Sequence, residues 1–260
     1  MSPCIWLIGG TSESGAIAHH LSNQNCSYIV TVTTESAKQL YPDSAQVRVG
    51  PLDDKTVCAF ITQWQVVGIL DASHPFAAEI SRLAIAQSKR SGIAYLRYER
   101  PITTPQPASD QIRFSASLRE LLSSPQLQHQ RVLFSLGYRA LLTVSAQLSA
   151  LRQTSQLFIR VLPSIEALSG ALSAGFSSKE IMALRPPISP ELEAALWQQW
   201  QISCVVAKAS GRPGGEAVKH QIAKQLGVTL VLIQRPDVSY PTQTDSIPVA
   251  VEFCMEVLAR

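Results

Sequence analysis

The stretch VVGILDASHPFAAEISRLAIAQSKRSGIAYLRYERP, residues 66–101, decides the fold. Val66 to Leu70 is a short apolar run between turn-forming residues, which predicts a buried strand. Asp71, Ala72, Ser73 and His74 stand at its carboxyl end, and Pro75 suits the first turn of a helix. Phe76, Ile80, Leu83 and Ala84 recur at helical spacing and predict an amphipathic helix over 75–90, stopped by Gly92. Ile93 to Leu96 begins another strand. Such a β-α-β unit belongs to a parallel sheet, and ligands of open α/β sheets gather at the carboxyl ends of the strands. Ser73 and His74, with Arg97 and Arg100 after the next strand, are therefore expected at a ligand crevice.

The residues before this unit repeat its alternation. Cys4 to Ile8 is an apolar strand, followed by Gly9-Gly10-Thr11-Ser12-Glu13-Ser14-Gly15 and a helix over 14–23. Glycines between a first strand and a first helix let backbone N–H groups approach a phosphate at the positive helix end. A bare tight turn explains them equally well, since the spacing is not GxGxxG. Tyr28 to Thr34 is a second strand. Its end is where a dinucleotide fold reads the adenosine ribose. Thr34, Ser36 and Lys38 suit a 2′-phosphate, whereas Glu35 suits a free 2′-hydroxyl; a solvated turn is the plain alternative. A strand over 47–49 and a helix over 54–64 complete the set.

Residues 102–130 open polar and proline-rich, with Pro105 and Pro107, so a domain boundary is expected near Pro101. This divides the chain into a dinucleotide-binding domain, 1–101, and a second domain, 102–260, that closes a substrate cleft. Strand and helix alternate in both, which predicts two mainly parallel sheets with helices on both faces. In the second half a helix is expected across 139–150. Ile202 to Ala207 is a strand followed by Lys208-Ala209-Ser210-Gly211-Arg212-Pro213-Gly214-Gly215. Lys208, Ser210, Gly211 and their neighbours read as an anion nest, or as a glycine turn with solvated charges.

The composition narrows the function. Hydrophobic content of 46% and charged content of 16% fit a soluble globular protein, the formal net charge of +3 is mild, and an N-terminus without a basic n-region leads to the expectation of a cytoplasmic one. No dense Lys/Arg block supports nucleic-acid binding. No apolar run reaches the roughly 18 residues that span a bilayer. The five cysteines are dispersed, without CxxC, and no metal site is expected. None of the six tyrosines has a lysine four residues on, so the Tyr-x-x-x-Lys of short-chain dehydrogenases is absent. GxxxxGK[ST] and GxSxG are absent as well.

Several blocks together resemble the precorrin-6A reductase family of cobalamin biosynthesis. They are Gly9-Gly10-Thr11-Ser12-Glu13, Asp71 to Ala77, Arg97 to Pro101, Arg160-Val161-Leu162-Pro163, Lys208-Ala209-Ser210-Gly211 with Gly214-Gly215, Lys219, and Arg235-Pro236. The likeness spans nearly the whole chain. It departs at Arg185-Pro186-Pro187-Ile188, where the family has Gly-Pro-Phe, at Ala209, where Asp or Asn is common, and at Gln234, where the family has a second arginine. The resemblance implies two Rossmann-like domains with a polyanionic corrin precursor between them. It implies reduction of one double bond of that macrocycle by NADPH, or NADH. Arginines suit the carboxylate arms of such a substrate.

The candidate roles follow. Gly9, Gly10, Thr11, Ser12, Glu13, Thr34, Ser36 and Lys38 are expected to hold the cofactor. Ser73, Arg97, Arg100, Lys208, Ser210 and Gly211 are expected to hold the substrate. His74 either donates a proton to the macrocycle or orders the turn it begins. Asp71 either faces the ligand as a carboxylate or fixes the turn through backbone N–H groups. A non-catalytic two-domain protein that binds a polyanionic small molecule is the competing class.

Overall fold

The structure is a computed structural model that describes residues 2–101, 111–211 and 214–260. Pro105, Pro107, Arg212 and Pro213 lie outside the described residues. The chain opens with β1 (Cys4–Ile8), α1 (Ser12–Asn23), β2 (Tyr28–Val32), β3 (Gln46–Val49), α2 (Val57–Gln63), β4 (Val66–Asp71), α3 (Ala78–Ser91) and β5 (Ala94–Tyr98). It continues through β6 (Ile112–Ser115), α4 (Leu118–Ser123), β7 (Arg131–Ser135), α5 (Tyr138–Leu142), α6 (Ser145–Leu151) and β8 (Gln156–Val161). Then come α7 (Ile165–Ser173), β9 (Ile181–Ala183), α8 (Pro190–Gln199), β10 (Cys204–Lys208), α9 (Glu216–Leu226) and β11 (Thr229–Ile233). The last elements are β12 (Gln243–Thr244) and α10 (Ile247–Leu258).

Among the described residues the strands form two six-stranded parallel sheets, ordered β12-β5-β4-β1-β2-β3 and β6-β11-β10-β7-β8-β9. The two orders are the same once strands are matched by position. In each, the chain runs outward from a central strand on one side, then returns to build the other side. The switch points lie between β1 and β4 and between β7 and β10. The outermost strand of each sheet comes from elsewhere: β6 follows β5 in sequence but joins the second sheet, and β12 follows β11 but joins the first.

Burial explains the near-continuous apolar strands. In β1, Ile5 and Leu7 pack with Ile17 and Leu21 of α1 and with Val251 and Cys254 of α10. Cys4, Trp6 and Ile8 point the other way, to Val57 and Phe60 of α2 and Ala84 and Ile85 of α3. Both faces are covered, so alternation with polar residues disappears. In the second sheet Leu133, Val205 and Leu230 pack with Trp197 of α8 and Ile222 of α9.

Three expectations need correcting. The chain divides into Met1–Pro101 with Pro236–Arg260, and Ile102–Arg235, so the second domain does not run on to residue 260. The apolar face of α10 belongs to the first core. There Gly68 leaves room for Val257, since a Cβ at Gly68 would lie 2.8 Å from Val257 Cγ1. The polar stretch 102–130 contains β6 and α4 within its described part. The helix expected over 139–150 is two helices, because Val144 leaves helical geometry at φ −132° and ψ 28°. The helix expected from Pro75 starts at Ala78, because His74 closes a separate turn first: its carbonyl accepts from the Ala77 N–H at 2.7 Å.

Candidate functional site

The first glycine turn is built by packing as much as by flexibility. Gly10 has φ +99°, and the space where its Cβ would stand is open. Gly9 cannot carry a side chain: a Cβ there would lie 2.1 Å from the Tyr41 hydroxyl. Thr11 caps α1, accepting from the Ser14 N–H at 3.1 Å and donating its hydroxyl to the Ala72 carbonyl at 2.8 Å. The turn is thereby tied to the loop after β4. Glu13 sits in the first turn of α1 beside Arg100, with Nη2 donating to Oε2 at 2.7 Å and Nε 2.6 Å from Oε1. Burial pushes the Glu13 carboxyl up, but the Arg100 guanidinium outweighs it and holds the group below its ordinary value. The pair keeps a negative charge directed at arginine instead of at the helix end.

Behind the turn lies a buried polar network. Asp71 ends β4 with no exposed surface. Its Oδ1 accepts from the Ser73 N–H at 3.1 Å and from Arg97 Nη1 at 2.8 Å. Its Oδ2 accepts from the Ser81 hydroxyl at 2.6 Å and the Tyr95 hydroxyl at 2.9 Å. Burial, and then the Asp71 charge, push the Tyr95 phenol far up, so it stays a neutral donor. Arg97 also has no exposed surface. It donates to Ser73 Oγ at 3.0 Å and to Glu99 at 2.7 Å, and lies over the Tyr240 ring at 5.1 Å. Direct ligand contact requires surface that Asp71 and Arg97 do not have. Both bond to Ser73 and so tie the start of the 73–76 loop to the end of β4 and to β5.

A cleft of about 720 Å³ opens at the switch point of the first sheet, at the carboxyl ends of its strands. Gly9, Gly10, Ser73, His74, Phe76 and Arg82 are among its lining residues. His74 is half-buried, and its Nδ1 accepts from the Phe76 N–H at 3.2 Å, which leaves the proton of a neutral ring on Nε2. Thr34, Ser36 and Lys38 do not line this cleft. They lie on and just before a 3₁₀ segment, Glu35–Leu40, where Lys38 pairs with Glu35 at 2.8 Å and Thr34 meets Ser36 at 3.3 Å. Glu35 and Lys38, whose signals conflict in the sequence, pair with each other on the surface.

In the second unit the turn after β10 carries its own anion. The Gly211 N–H donates to the buried Glu216 carboxylate at 2.8 Å. Lys219, also buried, donates to the Gly214 carbonyl at 3.0 Å and lies near Arg160, Glu193 and Glu216. Burial, with Arg160 adding to it, pulls its amine down from 10.5 to about 8. Burial also lowers Lys208. Ser210 is buried, and a Cβ at Gly214 would meet its hydroxyl at 1.8 Å. Arg212 falls outside the described residues. Tyr41 and Glu216 went unread in the sequence, since both lie outside the predicted turns and a lone Tyr or Glu has no spacing signal; Glu99 was read only as part of the Arg97–Pro101 block, without a role.

A parallel sheet with a glycine turn and a helix amino terminus over a cleft at its switch point defines the dinucleotide-binding class of α/β proteins. The model of the family described as "Precorrin-6x reductase CbiJ/CobK" matches residues 4–255. This chain belongs to that family, and so to the oxidoreductases of cobalamin biosynthesis. A cobalt-precorrin-6A reductase of Synechocystis sp. is 42% identical over 256 residues, 98% of this chain and 97% of the relative. A precorrin-6A reductase of Sinorhizobium sp. is 27% identical over 90% of this chain and 85% of its own length. The solved structure of CobK precorrin-6A reductase has the same fold, with a TM-score of 0.77 at 22% identity, covering 99% of this chain and 97% of that one. Membership decides against the non-catalytic binding protein. Among the described residues no cluster suited to a metal ion is found, and no helix is long and apolar enough to cross a membrane.

Proposed function

We propose that the chain reduces one double bond of cobalt-precorrin-6A with a hydride from NADPH. The observation that carries this is the cleft at the first switch point, with an open Gly10 at its rim and the Ser73–His74 loop across from it. The residues present fit a dinucleotide: a side chain at Gly10 would fill the approach to the backbone, and α1 points its amino terminus at the same place. Gly9 to Ser12 would line the diphosphate, with contact falling to the Ser12 end of the turn, because the N–H groups of Gly9, Gly10 and Thr11 already donate to the Thr31 carbonyl, the Tyr41 hydroxyl and the Ser14 hydroxyl. Thr34, Ser36 and Lys38 would take the ribose 2′-phosphate, with Lys38 leaving Glu35 to do so. The cofactor supplies the hydride; the protein supplies orientation and electrostatics.

His74 would donate a hydrogen bond to the macrocycle as the neutral ring, and a proton only when the ring is charged. Arg100, through Glu13, sets the charge beside the turn. Lys208 and Ser210 of the second unit serve the carboxylate arms of the substrate. The cobalt-bearing form is favoured because the 42% identical relative carries that name. The test is loss of nicotinamide absorbance on adding the corrin precursor under anaerobic conditions, with NADPH and NADH compared by kcat/KM. A clear NADPH preference is expected. No oxidation of either cofactor would overturn the reading; an NADH preference would assign the ribose to Glu35.

A further inference from the structure

Tyr41 follows the 3₁₀ segment Glu35–Leu40, yet its hydroxyl lies inside the first glycine turn. The Gly10 N–H donates to it at 2.7 Å. Ser14 Oγ is 2.8 Å away and gives its own proton to the Thr11 carbonyl at 2.7 Å, so Tyr41 donates to Ser14. The result is a directed chain of hydrogen bonds from Gly10 through Tyr41 and Ser14 to Thr11. The ring is 6% exposed, and burial holds the phenol neutral. Two glycines make the approach possible. A Cβ at Gly9 would strike the Tyr41 hydroxyl at 2.1 Å, and a Cβ at Gly15 would lie 2.6 Å from the Leu40 carbonyl oxygen. The segment that carries Ser36 and Lys38 is therefore seated on the glycine turn and on the first turn of α1.

We propose that Tyr41 is a positioning residue that locks the glycine turn and the 35–40 segment into one register, so that both ends of the cofactor's phosphate chemistry are read by a single rigid frame. This rests on the cofactor reading above. Without the hydroxyl, the Gly10 N–H and Ser14 Oγ lose their shared partner, and the segment loses its tie to the turn.

The test measures NADPH affinity by fluorescence titration, with steady-state kinetics and thermal melting alongside. Tyr41→Phe should raise the NADPH dissociation constant about tenfold. KM for the corrin precursor should stay near wild type and kcat should fall less than twofold or so. Ser14→Ala, which removes the acceptor of the Tyr41 hydroxyl proton, should give the same signature. Combining the two should cost less than the product of their effects, because both act on one contact. If both variants melt early yet bind NADPH as wild type does, Tyr41 is a core residue only and the proposal is wrong. If the wild-type protein binds neither NADPH nor NADH, the cofactor reading itself fails, and this proposal with it.

Discussion

Asp71-Ala72-Ser73 and Lys208-Ala209-Ser210 occupy the same place in two sheets of identical strand order, with opposite charge. Each follows the strand beside the switch point. In the first, the acidic side chain itself holds the turn, and the Ser73 N–H donates to it. In the second, the backbone does so, and the Ser210 N–H donates to the Lys208 carbonyl at 2.8 Å. Asp71 meets arginine, serine and tyrosine donors in full burial, whereas burial disfavours the charge on Lys208. Position at a strand end is thus not enough to assign a role. What decides is whether the side chain is consumed by the frame.

The largest expected effect separates the two copies on stability. Arg97→Ala strands the buried Asp71 carboxylate without its cation and should cost about 3–5 kcal/mol in urea unfolding. Lys208→Ala removes a charge that burial disfavours and should cost less than Arg97→Ala. Equal losses in both variants would erase the distinction. A smaller effect separates them on substrate. With one lysine–carboxylate contact worth about 1.5–3 kcal/mol, Lys208→Ala should lower kcat/KM for the corrin precursor by at least about tenfold while leaving NADPH affinity intact. A third effect concerns Lys219. Its folded pKa, about 8, lies below its ordinary 10.5, so the unfolded chain binds more protons between those values. Stability should therefore rise with pH across that window, and Lys219→Met should flatten the rise. Parallel pH curves for the two proteins would show that the Lys219 amine titrates normally.

Much of this frame was legible in the sequence, for physical reasons. Strands buried on both faces are nearly all apolar, so β1, β4, β10 and β11 stand out. The glycine turns stood out because few other residues reach φ values such as +99° at Gly10. The roles of Asp71 and Arg97 did not stand out, since a charged residue at a strand end looks the same whether it faces a ligand or a buried partner. Tyr41 was silent because its partners at Gly10 and Ser14 are joined to it only by folding. The return of α10 was silent because an amphipathic helix does not name the sheet it covers.

That return bears on the order of synthesis. The first sheet is begun by the earliest residues, but α10 and β12, from the 236–260 segment, cover one of its faces and complete its edge. A ribosome adding about 5–20 residues per second delivers the whole second unit before those pieces emerge. Until then the apolar bed shared by Ile5, Leu70 and Gly68 lies open where Val251, Cys254 and Val257 belong. The half of the protein that is translated first must therefore wait to be finished last, and a message cut at codon 235 would yield a completed second sheet beside an unsealed first one.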